Sequence, residues 1–216
     1  RMTTVLLAHG SPDPRHSTTL ERLRARVAPD LRAEGRGETH LCYIENDGPD
    51  PRELGAELSD DVTVVPMLLT PAMHARVDVP AAVRDLAGGG GSVRLAAALG
   101  GHPLILDGVV ERLRRQGHDP DSPTLLVAGG SRSGQAGQSV RTLLERHPRP
   151  GWMAMTLSAP RAGAMTGRVV VPATLAEGVL HDKVRVLAES AGSPFVTGGL
   201  ADTAALAELV LARVRG

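Results

Sequence analysis

Two imidazoles and one carboxylate, His9, His74 and Glu45, stand where a cation could be held. Each follows a short apolar run that reads as a strand: Thr3–Ala8 before His9, His40–Ile44 before Glu45, and Val62–Leu69 ahead of His74. In parallel α/β sheets, ligands gather at the carboxyl ends of strands, so one sheet edge would bring the three groups together. Neutral imidazole and carboxylate suit divalent cobalt, iron, nickel or zinc. Two or three protein ligands leave coordination positions open for exchange or for a substrate. Taken singly, each residue has a duller explanation. His9 could cap the next helix, Glu45 could be a solvated loop acid, and His74 could be packed against its apolar neighbours. Their common placement is what favours a metal site. The remaining histidines carry less. His16 could stand behind the ligands, and His102, before Pro103 at a helix start, reads as a cap or support. His40 starts a strand, His118 and His147 fall in polar connections, and His181 sits on a helix in the second half.

Elements that would position these groups alternate along the chain. Leu20, Leu23, Val27 and Leu31 fall at near-helical spacing, as do Leu54 and Leu58, then Val79, Val83 and Leu86, then Leu104, Val109, Val110 and Leu113. Pro80 is expected near the start of the third helix. Val93–Ala97 reads as a fourth strand. Strand and helix in alternation predict βα units and a parallel sheet, and near-continuous apolar strands predict that both faces are covered. The order then recurs, with strands over Pro123–Ala128, Trp152–Leu157, Val169–Val171 and Pro194–Thr197 and a last helix over Ala201–Val214. Ala8-His9-Gly10-Ser11 pairs with Ala128-Gly129-Gly130-Ser131, Val64-Val65-Pro66 with Val170-Val171-Pro172, and Gly100-Gly101 with Gly198-Gly199. The expected fold is therefore α/β, with two similar domains, each a four-stranded parallel sheet flanked by helices, and a cleft between them. The domains are expected over residues 2–117 and 123–216, joined by the polar Arg114–Pro123 stretch. The four-glycine run Gly88–Gly91 precedes a strand and lacks a following Lys-Ser/Thr, so it reads as a loop and not a phosphate cradle.

Composition removes several classes of function. The 24 basic residues, all but Lys183 arginines, balance 24 acidic ones, so no global field favours nucleic acid or an anionic membrane. Tyr43, Trp152 and Phe195 are the whole aromatic complement, too few for a stacking platform. Cys42 is alone, which excludes a disulfide framework or thiolate cluster within the chain and fits a reducing cytoplasm. No apolar run reaches the roughly 20 residues of a membrane span. No signal peptide is expected, and Arg1 ahead of Met2 is set aside as extraneous.

Four segments resemble the class II tetrapyrrole chelatases, the family of sirohydrochlorin cobaltochelatase and ferrochelatase. Leu6 to Pro14 resembles the family's strand followed by His-Gly-Ser-x-Asp-Pro, and Tyr43-Ile44-Glu45 its aromatic-apolar-Glu. Val65-Pro66 through His74 to Asp78-Val79-Pro80 resembles its Val-Pro…His-x-x-x-Asp-Ile-Pro, and Leu99 to Leu104 its Leu-Gly-x-His-Pro. The resemblance covers most of the first half. It implies a lyase that inserts a divalent metal ion (cobalt, iron or nickel, as substrate) into sirohydrochlorin or a related tetrapyrrole, in siroheme- or cobalamin-type biosynthesis. It implies that His9 and His74 hold the metal with Glu45 assisting, and no organic cofactor. The tetrapyrrole's carboxylates call for cationic donors, for which Arg15, Arg76 and Arg132 are candidates; Ser11, Met73 and His102 complete the expected substrate contacts. Asn46–Asp50 is more polar and turn-rich than the family's segment after Glu. In the second half the ligand positions are lost: Gly129 replaces His9, Leu157-Ser158 replaces Ile44-Glu45, and counting from Val-Val-Pro puts Leu180 at the His74 position. The expected partner is the small-molecule ring, with no nucleic acid or membrane, for a monomer or homodimer. A carrier with the same ligands, or a chelatase of a specialised pathway, fits the same residues. A histidine phosphatase does not, because Ala8 stands where phosphate would need an arginine before His9-Gly10.

Overall fold

A computed structural model describes residues 2–70, 75–129, 135–161 and 163–216. The first sheet is built from β1 (Met2–Ala8), β2 (Glu38–Tyr43), β3 (Asp61–Pro66) and β4 (Val93–Leu95), all parallel, in the order β2-β1-β3-β4. β1 is central because it is the most continuously apolar: Val5, Leu6 and Leu7 are essentially inaccessible to solvent. Helix α1 (Pro14–Ala33) buries the stripe Leu20, Leu23, Val27 and Leu31. Helices α2 (Pro51–Glu57) and α3 (Ala75–Leu86) bring Leu54, Val79, Ala82 and Leu86 onto Val5, Leu7, Val62 and Val64.

Two turns are set by local chemistry. Asp13 caps α1, its side chain accepting from the Arg15 backbone N–H at 2.9 Å, with Pro14 preset for the first helical position. Asp50 and Glu53 form a reciprocal capping box at α2. Pro80 does not start α3 as expected. It lies five residues inside the helix, which begins at Ala75.

The second sheet is β6-β5-β7, from β5 (Thr124–Ala128), β6 (Trp152–Thr156) and β7 (Val169–Pro172), again parallel. The expectation of four strands is corrected here to three. Pro194–Thr197 contributes one parallel bridge, Val170 to Phe195, and then leaves the sheet. Pro194 has no N–H to offer a ladder, and the backbone of Thr197 is taken by the Gln116 amide, which donates to its carbonyl and accepts from its N–H, both at 2.9 Å. Helix α6 (Val179–Ser190) buries Val184 and Ala188 against Leu125, Val127 and Val170. Helix α5 (Gln135–Arg146) lies along β6.

The chain forms two compact units whose helices do not follow chain order. Residues Gly100–Leu206 belong to the second unit, so helix α4 (Leu104–Arg115) packs there although it precedes β5. Glu111 of α4 accepts from the Ala204 and Ala205 N–H groups at 2.8 and 2.7 Å, holding the amino end of helix α7 (Ala204–Arg215). The last ten residues belong to the first unit, tied there by Arg215 to Glu34 and by Arg94 to the Val214 carbonyl. Among the described residues no helix is long and apolar enough to cross a membrane.

Candidate metal-handling site

The β1–β2 register sets Ala8 opposite Tyr43, so the next residues of both strands emerge side by side at the carboxyl edge. Ile44 N–H donates to the Ala8 carbonyl at 3.0 Å and Glu45 N–H to the His9 carbonyl at 2.9 Å, carrying the pairing past the strands. That geometry places His9 Nδ1 3.3 Å from Glu45 Oε1. Their side chains are 41% and 58% exposed, so an ion arriving from solvent can reach both. Gly10 makes the approach possible. Its φ is 96°, and a Cβ there would lie 1.7 Å from the Glu45 carbonyl oxygen.

The two loops are stitched together beyond the pair. Ser11 N–H donates to Asp47 at 3.3 Å, and Asp13 N–H donates to the Ser11 hydroxyl at 3.1 Å. Asp47 is aimed by a tight turn in which its N–H donates to the Glu45 carbonyl at 2.8 Å while Asn46 takes φ 67°. Asparagine tolerates this left-handed conformation better than most residues. The segment that departs from the family pattern thus builds the turn after Glu45. Sequence reasoning did not single out Asp47; the Asn-Asp-Gly-Pro run was the only signal for it.

The other expected contacts divide. Met73, His74 and Arg132 lie outside the described residues. Arg76 is exposed on the first turn of α3. Arg15 forks onto its own helix cap, with Nη2 2.7 Å and Nε 3.2 Å from Asp13 Oδ2. His102 lies in the second unit, where its Nδ1 accepts from the Leu104 N–H at 3.1 Å and so caps α4, leaving Nε2 as the donor nitrogen. Among the described residues, no three His, Cys, Asp or Glu side chains gather as a ligand set, so His9 and Glu45 account for two members of the expected three. A depression of about 250 Å³ beside them, lined by Ile44, Asp50, Arg52, Asp78 and Asp85, is too small and too acidic for a polycarboxylate ring.

Behind the pair, on the first turn of α1, His16 is partly buried and its Nδ1 is buried without a hydrogen-bond partner. Burial pushes its pKa below the usual 6.5; His9 adds to the fall, while the carboxylates of Asp47 and Asp13 oppose it. The unfolded chain therefore binds more protons between the two pKa values, and stability falls as pH drops through 6.5. Thermal unfolding followed from about pH 8 to 5 is expected to show this decline in the wild type and a shallower one in His16→Asn; parallel curves would remove His16 as its source.

In the second unit, Gly129 follows β5 where His9 follows β1. The buried positions of α6, His181, Val184 and Ala188, repeat the spacing of Val79, Ala82 and Leu86 in α3. Leu180 therefore matches Asp78, not His74, and the count from Val-Val-Pro is corrected by a difference in loop length. His181 is built into the core. Its Nε2 accepts from Gly198 N–H at 2.9 Å, its Nδ1 lies 2.9 Å from Asp182, and its ring meets Phe195 edge-on at 5.2 Å.

Paired parallel α/β units, the first carrying His and Glu on adjacent strand ends, are the fold and motif arrangement of a class II chelatase. The CbiX family model matches residues 3–116, more than half of the chain, and the chain belongs to that family. Among solved structures, it is similar to SirB from Bacillus subtilis with Fe3+ at TM-score 0.75 and 15% identity, covering 100% of this chain and 94% of that one. SirB from Bacillus subtilis subspecies spizizenii in complex with cobalt gives 0.72 and 18%, with the same coverage. CbiX, described as the terminal enzyme for biosynthesis of siroheme in denitrifying bacteria, gives 0.67 and 20%, covering 99% of this chain and 98% of that one. Comparison with curated proteins gave no match.

Proposed function

We propose that this chain inserts a divalent metal ion (cobalt, iron or nickel) into sirohydrochlorin or a related tetrapyrrole, on a route to siroheme or a cobalamin-type product. The observation that carries the reading is the solvent-facing His9–Glu45 pair at the strand ends of a CbiX-family chain. Nδ1 of His9 faces the Glu45 carboxylate at 3.3 Å, and a carboxylate beside one ring nitrogen is the arrangement that orients a metal-binding histidine to offer the other. His74 is the proposed second imidazole. Glu45 offsets the charge of the ion and, with the imidazoles, accepts the two pyrrole protons that the incoming metal displaces.

Arg76, exposed beside this edge, is the readiest donor to a substrate carboxylate. Arg15 can serve by sharing the fork it now gives to Asp13. Ser11, Met73, Arg132 and His102 are the further proposed contacts. Residues 2–117 are proposed as the chelatase-like domain that carries the metal site and 123–216 as a chelatase-like repeat whose site is degenerate. The test is loss of the metal-free ring's absorbance under anaerobic conditions with each metal in turn. At least one metal is expected to insert faster than in a protein-free control; equal rates for all of them overturn the reading.

A further inference from the structure

Val77 is the most exposed large aliphatic side chain among the described residues, at 70%. A lone exposed aliphatic needs no explanation, so what matters is where this one stands. It lies on the first turn of α3, three residues after His74, between exposed Arg76 and Asp78. Asp78 and Ile44 line the same depression of about 250 Å³, and Ile44 immediately precedes Glu45. Val77 and Glu45 are therefore each one residue from a wall of that depression, which puts the exposed valine beside the His9–Glu45 pair. The second unit carries the same feature. In the register set by buried Val79, Ala82 and Leu86 against His181, Val184 and Ala188, the 12 residues of α3 align with Glu177–Ala188. Val77 falls on Val179, the one identity in that stretch, and Val179 is 60% exposed. The surrounding positions differ. Leu157 N–H donates to the Ala128 carbonyl as Ile44 N–H does to Ala8, so Ser158 stands for Glu45, while Gly129 stands for His9 and Leu180 for Asp78. Nothing in the helix itself calls for the valine, a modest helix former that gains nothing from burial where it faces solvent.

We infer that Val77 is a specificity-determining contact for the substrate, meeting the apolar face of the tetrapyrrole while Arg76 takes a carboxylate at its rim. This rests on the proposed insertion reaction and names a residue that tells the ring from other polycarboxylates. A flat conjugated macrocycle with carboxylates at its edge presents two chemistries, and an apolar side chain next to a guanidinium matches both. The acids of the depression, Asp50, Asp78 and Asp85, repel the rim carboxylates, so the ring lies across its mouth and over Val77. Val77 has no donor atom for a metal, so it acts on the ring and not on the ion.

Titration of the full chain with metal-free sirohydrochlorin, read by the ring's absorbance without metal, separates ring recognition from insertion. Val77→Thr exchanges a methyl for a hydroxyl at constant shape. It is expected to raise the Kd and the KM for the ring about three- to tenfold, with kcat and the KM for the metal ion within about twofold of wild type. Val77→Leu is expected to keep the wild-type affinity. Val186→Thr, on another exposed aliphatic, serves as the control and should change neither constant. The Val77→Thr loss should be the same at about 0.05 and 0.5 M salt, whereas that of Arg76→Gln should shrink at the higher salt, because only charge pairing is screened. A wild type that binds and inserts, with Val77→Thr equal to it in ring affinity, overturns the inference alone. So does a fall in kcat at unchanged ring affinity. A wild type that neither binds the ring nor inserts a metal overturns the proposed reaction and this contact with it.

Discussion

His9→Ala is expected to lower the rate of metal insertion by at least about 100-fold, since even the partners that merely orient a metal ligand are worth 10–100-fold. The imidazole is 41% exposed and contributes little packing, so the variant should keep the wild-type circular dichroism spectrum and thermal midpoint. Glu45→Gln is expected to cost less, about tenfold, because the isosteric amide keeps the side chain beside His9 and only the charge is lost. His74→Ala is expected to match His9→Ala if the two imidazoles share the ion. The pattern matters more than any single loss. Removing two ligands of one ion is grossly non-additive, so the double variant should fall scarcely below either single one. Full insertion activity in His9→Ala, with the fold intact, would take His9 out of the site. Unequal losses at His9 and His74 that multiply in the double variant would mean that the two residues serve different steps.

The positions of His9 and Glu45 were legible because strand ends are written in the chain's hydrophobic pattern. Val5, Leu6 and Leu7 are buried on both faces of the sheet, and such a run announces a central parallel strand whose carboxyl end presents the next residue, His9, at the sheet edge. What packs on what was not legible. The apolar stripe of α4 says that Ile105, Val109 and Leu113 are buried, but a stripe carries no address. Pairing with the second unit is decided by Glu111 at the start of α7 and by Gln116 on Thr197, contacts 81 to 94 residues apart in the chain. The fourth strand of the second sheet failed for a similar reason. Pro194–Thr197 has strand-like composition, but its backbone partner is a side chain from another helix. Counting residues also misled at Leu180, because loops drift in length while the burial spacing of a helix does not. Asp47 was missed because a turn-rich run predicts that the chain reverses, not where its carboxylate will point.

Gly10→Ala tests the backbone on which the pair depends, and is expected to destabilise the fold by about 3 kcal/mol or more. Two costs add. The φ of 96° lies where an L-residue is strained by about 1–3 kcal/mol. The added Cβ would also lie 1.7 Å from the carbonyl oxygen of Glu45, a backbone atom that no rotamer change can move aside. Relief therefore has to come from separating the loop after β1 from the loop after β2, which stretches the Glu45 N–H to His9 carbonyl bond, now 2.9 Å, and draws the carboxylate off the imidazole. Gly35→Ala supplies the control. Its φ is 74°, but nothing lies within 4 Å of the new methyl, so only the conformational cost applies, about 1–2 kcal/mol. Urea unfolding of both variants gives the comparison. Against a total stability of about 5–15 kcal/mol, the Gly10 variant should remain largely folded in water, and its insertion activity should then fall further than its folded fraction. If Gly10→Ala proves no more destabilising than Gly35→Ala, the close approach of the two loops is not rigid, and the 3.3 Å contact between His9 and Glu45 cannot depend on it.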